Sequence, residues 1–187
     1  MSVSSTTVVF SHGKESGPWG SKITAMAGMV RALGMPVESV DYRGLAAPAA
    51  RVERLIAAAA AIRGPTVLVG SSMGGHVSAA AADRIKSRGL FLLAPAFYMP
   101  GFEAHTPHVV GCPTAIVHGW RDEVVPVDSS IRWAREHRAT LHVLDSGHRL
   151  DDQIETICAL LCGFLTDLSA RPAGGRQAAG QRSGPAE

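Results

Sequence analysis

Charge, aromatic side chains and cysteine are all scarce in this chain. Charged residues make up 18% and aromatics 5% of its 187 positions, against 46% hydrophobic residues. That balance excludes a disordered or coiled-coil chain and fits one globular domain with its own core. The formal net charge is only +2, and the last nineteen residues carry Arg171, Arg176 and Arg182 against Glu187, so the body is neutral. A neutral body has no field to draw it onto polyphosphate, and nucleic acid is not expected as a partner. Cys158 and Cys162 lie four apart in an apolar helical pattern, which leaves Cys112 alone. Cys158 and Cys162 read as small core residues, the small odd number of cysteines fits a reducing compartment, and no Cys/His cluster stands at ligand spacing, so no metal or cofactor is expected. No apolar run approaches the ~18 residues of a membrane span, and no cationic segment precedes Val8-Val9-Phe10. A cytoplasmic protein with no membrane partner is the expectation.

Short β-branched or apolar runs alternate with longer segments of helical period. The runs are Thr6–Ser11, Val37–Tyr42, Thr66–Val69, Leu90–Ala94, Thr114–His118 and Leu141–Leu144. Between them, Ile23, Met26, Ala27, Val30 and Leu33 define one amphipathic helix, and Val52, Leu55, Ile56, Ala59 and Ile62 define another. Further helices are predicted over Met73–Ser87, Ser129–His137 and Asp151–Leu168. This alternation predicts an α/β fold of three layers, with helices on both faces of a mostly parallel six-stranded sheet. The domain spans residues 1–168; residues 169–187, rich in Ala, Gly, Pro, Gln and Arg, are expected to form a disordered tail.

The strongest local motif is Val67-Leu68-Val69-Gly70-Ser71-Ser72-Met73-Gly74-Gly75, an apolar strand entering G-x-S-x-G and then an Ala-rich helix. In this arrangement Ser72 occupies a sharp strand-to-helix turn whose neighbours two residues away must be small. The turn aims the first helical N–H, that of Met73, at any oxygen gaining negative charge there. On its own the pattern also fits a Gly/Ser turn that binds an anion, although no P-loop lysine follows Gly74-Gly75-His76.

A hydroxyl needs a base, and a base needs an acid to orient it. Asp122 lies just past the predicted strand Thr114–His118, with Glu123 beside it as an alternative, and His148 follows the strand Leu141–Leu144. The C-terminal ends of parallel strands share one edge, where ligands bind, so these residues can converge on Ser72. The order Ser, Asp, His is that of the hydrolases with this turn. Taken alone, Asp122 also fits a solvated loop acid, and His148 a capping or surface histidine. His12 and Gly13 end the first strand, so a second N–H donor is expected from Lys14; Gly13 lets the backbone approach and His12 shapes the loop through its side chain.

With His12-Gly13, Gly70 to Gly75, Gly119 to Val124 and Gly147-His148 in this order, each after a strand, residues 6–168 resemble the α/β-hydrolase superfamily, and within it the small lidless bacterial serine esterases. The resemblance implies Ser72 as nucleophile, His148 as base, Asp122 as its orienter, and Met73 and Lys14 as oxyanion donors. Lys14 stands where the family often has an apolar or aromatic residue.

Between the fourth and fifth strands, where larger relatives insert a lid, Pro95–Cys112 carries Phe97, Tyr98, Met99 and Phe102. These side chains, with Trp19 and Trp120 at the ends of strand-following loops, are expected to bound an open apolar pocket for a small to medium ester or thioester. The same triad would serve an amidase or peptidase, and the same surface a non-catalytic binding protein. The sequence leaves the oligomeric state open.

Overall fold

The computed structural model describes residues 6–170. Six strands, β1 (Thr7–Ser11), β2 (Val37–Val40), β3 (Thr66–Ser71), β4 (Gly89–Leu93), β5 (Thr114–Gly119) and β6 (Thr140–Leu144), alternate with five helices. These are α1 (Ser21–Ala32), α2 (Pro48–Ala60), α3 (Met73–Ile85), α4 (Val127–His137) and α5 (Ile154–Ala170). A short 3-10 turn, Glu103–His105, interrupts the β4–β5 connection, and another, Asp151–Gln153, leads into α5. The sheet order is β2-β1-β3-β4-β5-β6, and every pairing is parallel.

Strand period two divides the core in two. Val8, Phe10, Val67, Val69, Phe91 and Leu93 face α1 and α5, which contribute Met26, Val30, Ile157 and Leu161. Val9, Leu68, Leu90, Leu92 and Ile116 face the opposite side, where Leu55 of α2, Val77 and Ala81 of α3 and Trp133 of α4 cover them. Because both faces are covered, the central strands are apolar at nearly every position rather than alternating.

Helix α5 continues through Ser169 and Ala170, with Ser169 Oγ donating to Leu165 O at 2.8 Å. The rest of the expected tail lies outside the described residues. The stretch Asp151–Ala170, with mean hydropathy 1.2, is long and apolar enough by composition to cross a membrane, although polar residues interrupt it too often for an unbroken apolar run. In this fold it buries Ile157, Leu161, Leu165 and Leu168 against the sheet.

Strands reached from opposite directions create a crevice where the order reverses, outside the carboxyl ends of β1 and β3. The loops carrying His12 and Ser72 leave the sheet at that point.

Candidate active site

Ser72 sits between β3 and α3 at φ 54° and ψ −120°, a conformation a non-glycine residue adopts only under constraint, at a cost of about 1–3 kcal/mol. Its N–H donates to Leu93 O at 2.9 Å, and its carbonyl accepts from the N–H groups of Gly75 (2.9 Å), His76 (3.2 Å) and Ala96 (3.1 Å). Two close approaches make the turn possible. A Cβ at Gly70 would lie 2.3 Å from Gly74 O, and one at Gly74 would lie 2.1 Å from Ser11 O.

From there a line of hydrogen bonds crosses the sheet edge. Ser72 Oγ lies 3.0 Å from His148 Nε2, and His148 Nδ1 lies 2.7 Å from Asp122 Oδ2. With Nδ1–H donating to the carboxylate, Nε2 presents its lone pair to the Ser72 hydroxyl. The loops bearing Asp122 and His148 are stitched together: Trp120 N–H donates to Leu144 O and Arg121 N–H to Ser146 O, each at 2.9 Å. A side chain at Gly119 would collide with Ser146 O, at 2.3 Å from its Cβ, so the residue that lets these loops meet carries none.

The Asp122 carboxylate is fully enclosed. Its Oδ1 accepts the N–H groups of Val124 (2.9 Å) and Val125 (2.8 Å), and its Oδ2 lies 2.7 Å from His148 Nδ1 and 2.9 Å from His118 Nε2. Burial pushes the carboxyl pKa up, but the Val125 N–H, His148 and the Val124 N–H outweigh it, and the net displacement is downward. Glu123, the neighbouring acid, takes no place in this line. His118 is buried, with Nδ1 2.7 Å from Ser130 Oγ and Nε2 2.9 Å from both Val125 O and Asp122 Oδ2. Its pKa is lowered chiefly by burial, consistent with a neutral ring that donates through Nε2 and accepts from Ser130. From the sequence His118 is placed only at the end of a strand; its i, i+4 spacing to Asp122 is the one signal of this contact in the sequence.

His12, Gly13, Lys14, Ser72, Met73 and His148 all line one cleft of about 1350 Å³. Gly13 abuts Ser72, since a Cβ there would stand 3.6 Å from Ser72 Cβ. His12 is buried; its Nδ1 lies 2.7 Å from Gly13 O, and its Nε2 accepts the Tyr42 N–H at 3.0 Å, so both nitrogens are committed to the loop rather than turned to a substrate. Burial is the main cause of its lowered pKa.

Four of the expected pocket residues lie elsewhere. Phe97 is fully buried and stacks on Trp133 with centroids 4.9 Å apart, because the chain turns inward after Ala94. Tyr98, at φ 49°, turns toward α4, where its hydroxyl bonds Glu136 Oε2 at 2.5 Å and Arg132 covers its ring. Trp19 pairs with Arg31 across 5.3 Å, and Trp120 projects into solvent. The apolar wall comes instead from Val52 of α2, Met73 and Ala80 of α3, and Ala96, Met99 and Phe102 of the β4–β5 connection. The contribution of α2 was missed. Pro at the first helical position of Pro48–Ala60 would have marked its start beside the site. Among the described residues no group of three or more His, Cys, Asp or Glu side chains is arranged to hold a metal ion.

An all-parallel sheet with the serine turn at its switch point defines an α/β hydrolase fold. A family profile described as the alpha/beta hydrolase family matches residues 8–184, and the chain belongs to that family. Among solved structures it is similar to a protein from Xanthomonas campestris pv. campestris assigned to the hydrolases of the alpha/beta superfamily. Identity there is 32% and the TM-score 0.80, covering 87% of this chain and 99% of that one. Two more distant structures share the fold alone. Est1E from Butyrivibrio proteoclasticus has 17% identity and TM-score 0.76, with 89% of each chain covered. A Xanthomonas campestris serine hydrolase without a lid has 24% identity and TM-score 0.74, covering 91% of this chain and 86% of that one. Comparison with curated proteins gives no match.

Proposed function

We propose that the chain is a serine hydrolase that cleaves carboxylic esters or thioesters of small to medium acyl groups through an acyl-enzyme on Ser72. The observation that carries this reading is the unbroken line Ser72 Oγ, His148 Nε2, His148 Nδ1, Asp122 Oδ2, with spacings of 3.0 Å and 2.7 Å. His148 takes the Ser72 proton as Oγ attacks the carbonyl carbon, and Asp122 holds the tautomer and stabilises the imidazolium. The tetrahedral oxyanion is met by the N–H groups of Met73, at the start of α3, and Lys14. Collapse expels the alcohol or thiol, which leaves with the proton from His148. Water then attacks the acyl-enzyme with His148 again as base, releasing the acid and restoring Ser72.

The apolar wall of Val52, Met99 and Phe102 suits an acyl chain, and the cleft's opening to solvent suits a substrate with an exposed leaving group. The reading includes a cytoplasmic small-molecule substrate and needs no cofactor, nucleic acid or membrane.

The deciding experiment is a chain-length series of aryl acyl esters and acyl thioesters, run on the wild type and Ser72→Ala together, with fluorophosphonate labelling mapped by mass spectrometry. Hydrolysis that vanishes in Ser72→Ala, with the label on Ser72, is the expected result. Equal rates in the two proteins would overturn the assignment.

A further inference from the structure

Arg51 is 4% exposed and heads the buried i, i+4, i+8 stripe Arg51, Leu55, Ala59 of α2. A buried guanidinium is costly, stays charged, and is ordinarily matched by a carboxylate. Arg51 instead donates to two backbone carbonyls: Nε to Leu45 O at 2.7 Å and Nη1 to Gly13 O at 3.2 Å, with its guanidinium 5.4 Å from the centroid of the Tyr42 ring. Gly13 O also receives His12 Nδ1 at 2.7 Å, and His12 is itself fixed by the Tyr42 N–H on Nε2. Tyr42 is anchored in turn, its hydroxyl 2.8 Å from Ser11 Oγ.

All these partners lie on one side of β1. Tyr42 and Leu45 follow β2, Arg51 belongs to α2, and β2 flanks β1 opposite β3, the strand that delivers Ser72. The peptide joining Gly13 to Lys14 is planar and trans, so its N–H points away from its C=O. Turning Gly13 O toward Arg51 and His12 therefore turns the Lys14 N–H toward Ser72, against which Gly13 already packs.

We propose that Arg51 and His12 are positioning residues that clamp the Gly13 carbonyl from behind and thereby aim the Lys14 N–H at the oxyanion formed on Ser72. A cation on the carbonyl also polarises the amide, which strengthens its N–H as a donor when negative charge develops. The clamp lies behind the loop, so it acts on the transition state rather than on ground-state substrate. It rests on the reading of Ser72 as the acylated residue.

The test compares full-length wild type, Arg51→Met and Arg51→Lys by steady-state hydrolysis of an aryl ester and by inhibition with an alkylboronic acid, whose tetrahedral adduct carries the oxyanion. Circular dichroism verifies folding. Arg51→Met is expected to lose about 10 to 100-fold in kcat with KM within about twofold, less than the roughly 100 to 1,000-fold that follows outright loss of an oxyanion donor. Boronate inhibition should weaken by the same factor as kcat. Arg51→Lys, which returns one N–H donor and the charge, should recover part of the loss. A folded Arg51→Met with wild-type kcat, a loss confined to KM, or boronate inhibition that does not follow kcat overturns the proposal. If neither variant folds, the wild-type amide spectrum decides: boronate must shift the Lys14 N–H together with that of Met73, and an unmoved Lys14 signal overturns the clamp. Absence of fluorophosphonate label on Ser72 in the wild type would bring down the functional reading and this one with it. A labelled Ser72 with indifferent Arg51 variants would bring down this one alone.

Discussion

Alanine placed at position 74 should cost stability, although the same change elsewhere in a helix adds it. Gly74 lies in the first turn of α3, and a Cβ built there falls 2.1 Å from Ser11 O, 2.5 Å from Ser11 C and 2.7 Å from His12 O. These are backbone atoms at the end of a central strand, so no side chain can swing away to make room. Intrinsic propensity favours alanine over glycine by about 1 kcal/mol in a helix interior, while forcing extra atoms into a packed site costs about 1–3 kcal/mol. With backbone on the opposing side the clash takes the upper value, for a net loss of about 2 kcal/mol. In a domain of this size that lowers Tm by roughly 4–8 °C. Gly163 of α5 and Gly28 of α1 are the controls, since a Cβ at either meets nothing within 4 Å. Alanine at each should gain about 0.5–1 kcal/mol, raising Tm by roughly 1–4 °C. Thermal unfolding followed at 222 nm on the three variants decides the matter. A Gly74→Ala protein as stable as wild type, or controls that fall instead of rise, would refute the claim that α3 is docked against the end of β1 at contact distance. Gly74→Ala should also lose activity, since the displaced atoms belong to the residues that lead into Gly13.

The remaining predictions concern the site and its surroundings. Asp122→Asn should reduce kcat by about 10⁴-fold, because an amide in place of the carboxylate favours the wrong histidine tautomer, and should lower Tm as well, because the amide NH2 would face the His118 Nε2–H; an activity within tenfold of wild type would remove Asp122 from its role. Burial lowers the pKa of His12 and His118 from the ordinary 6.5. The unfolded chain therefore takes up protons that the folded chain refuses once the pH drops below about 6.5. Stability should decline from there toward lower pH, with a limiting slope of about 1.4 kcal/mol per pH unit for each histidine. Urea titrations at pH 7, 6 and 5 measure that slope, and His118→Gln should flatten it; a midpoint constant across this range would contradict the buried neutral rings. Phe97→Ala should cost about 3–5 kcal/mol, whereas Met99→Ala, on the cleft wall, should raise KM for longer acyl esters with far less effect on stability. If the two variants exchanged these phenotypes, the assigned positions of their side chains would be wrong.

Strand identity was readable from apolar runs because both faces of this sheet are covered, and the motif order was readable because each motif ends a strand. The second apolar run extends to Tyr42, yet pairing stops at Val40, since the Tyr42 N–H turns to the His12 ring instead of a neighbouring strand. Helices α2 and α4 begin earlier than their apolar period indicates, at Pro48 and Val127, where proline rather than hydrophobicity sets the start. Pocket residues were the hardest to read. Phe97, Tyr98, Met99 and Phe102 are near neighbours in the chain, but which way each turns depends on left-handed backbone at Ala94 and Tyr98 that no composition rule flags. Position in Gly119-Trp120-Arg121-Asp122 favours Asp122 over Glu123, and what encloses it in the structure separates the two: the N–H groups of Val124 and Val125, the His118 imidazole four residues earlier, and the His148 imidazole from the loop after β6. Arg51 escaped notice because an arginine next to an apolar stripe reads as solvated until its surroundings are known.

His148 follows β6, which closes one margin of the sheet and is held on one side alone, by β5. Ser72, by contrast, follows β3 in the interior of the ladder, with β1 and β4 on either flank. The two halves of the proposed proton relay are therefore secured unequally, and local opening begins where a strand has a single neighbour. Under mild denaturant the imidazole should drift from the hydroxyl while most of the helical signal persists. Turnover would then fade before ellipticity does, and a preparation judged intact by spectroscopy could already be silent as an enzyme.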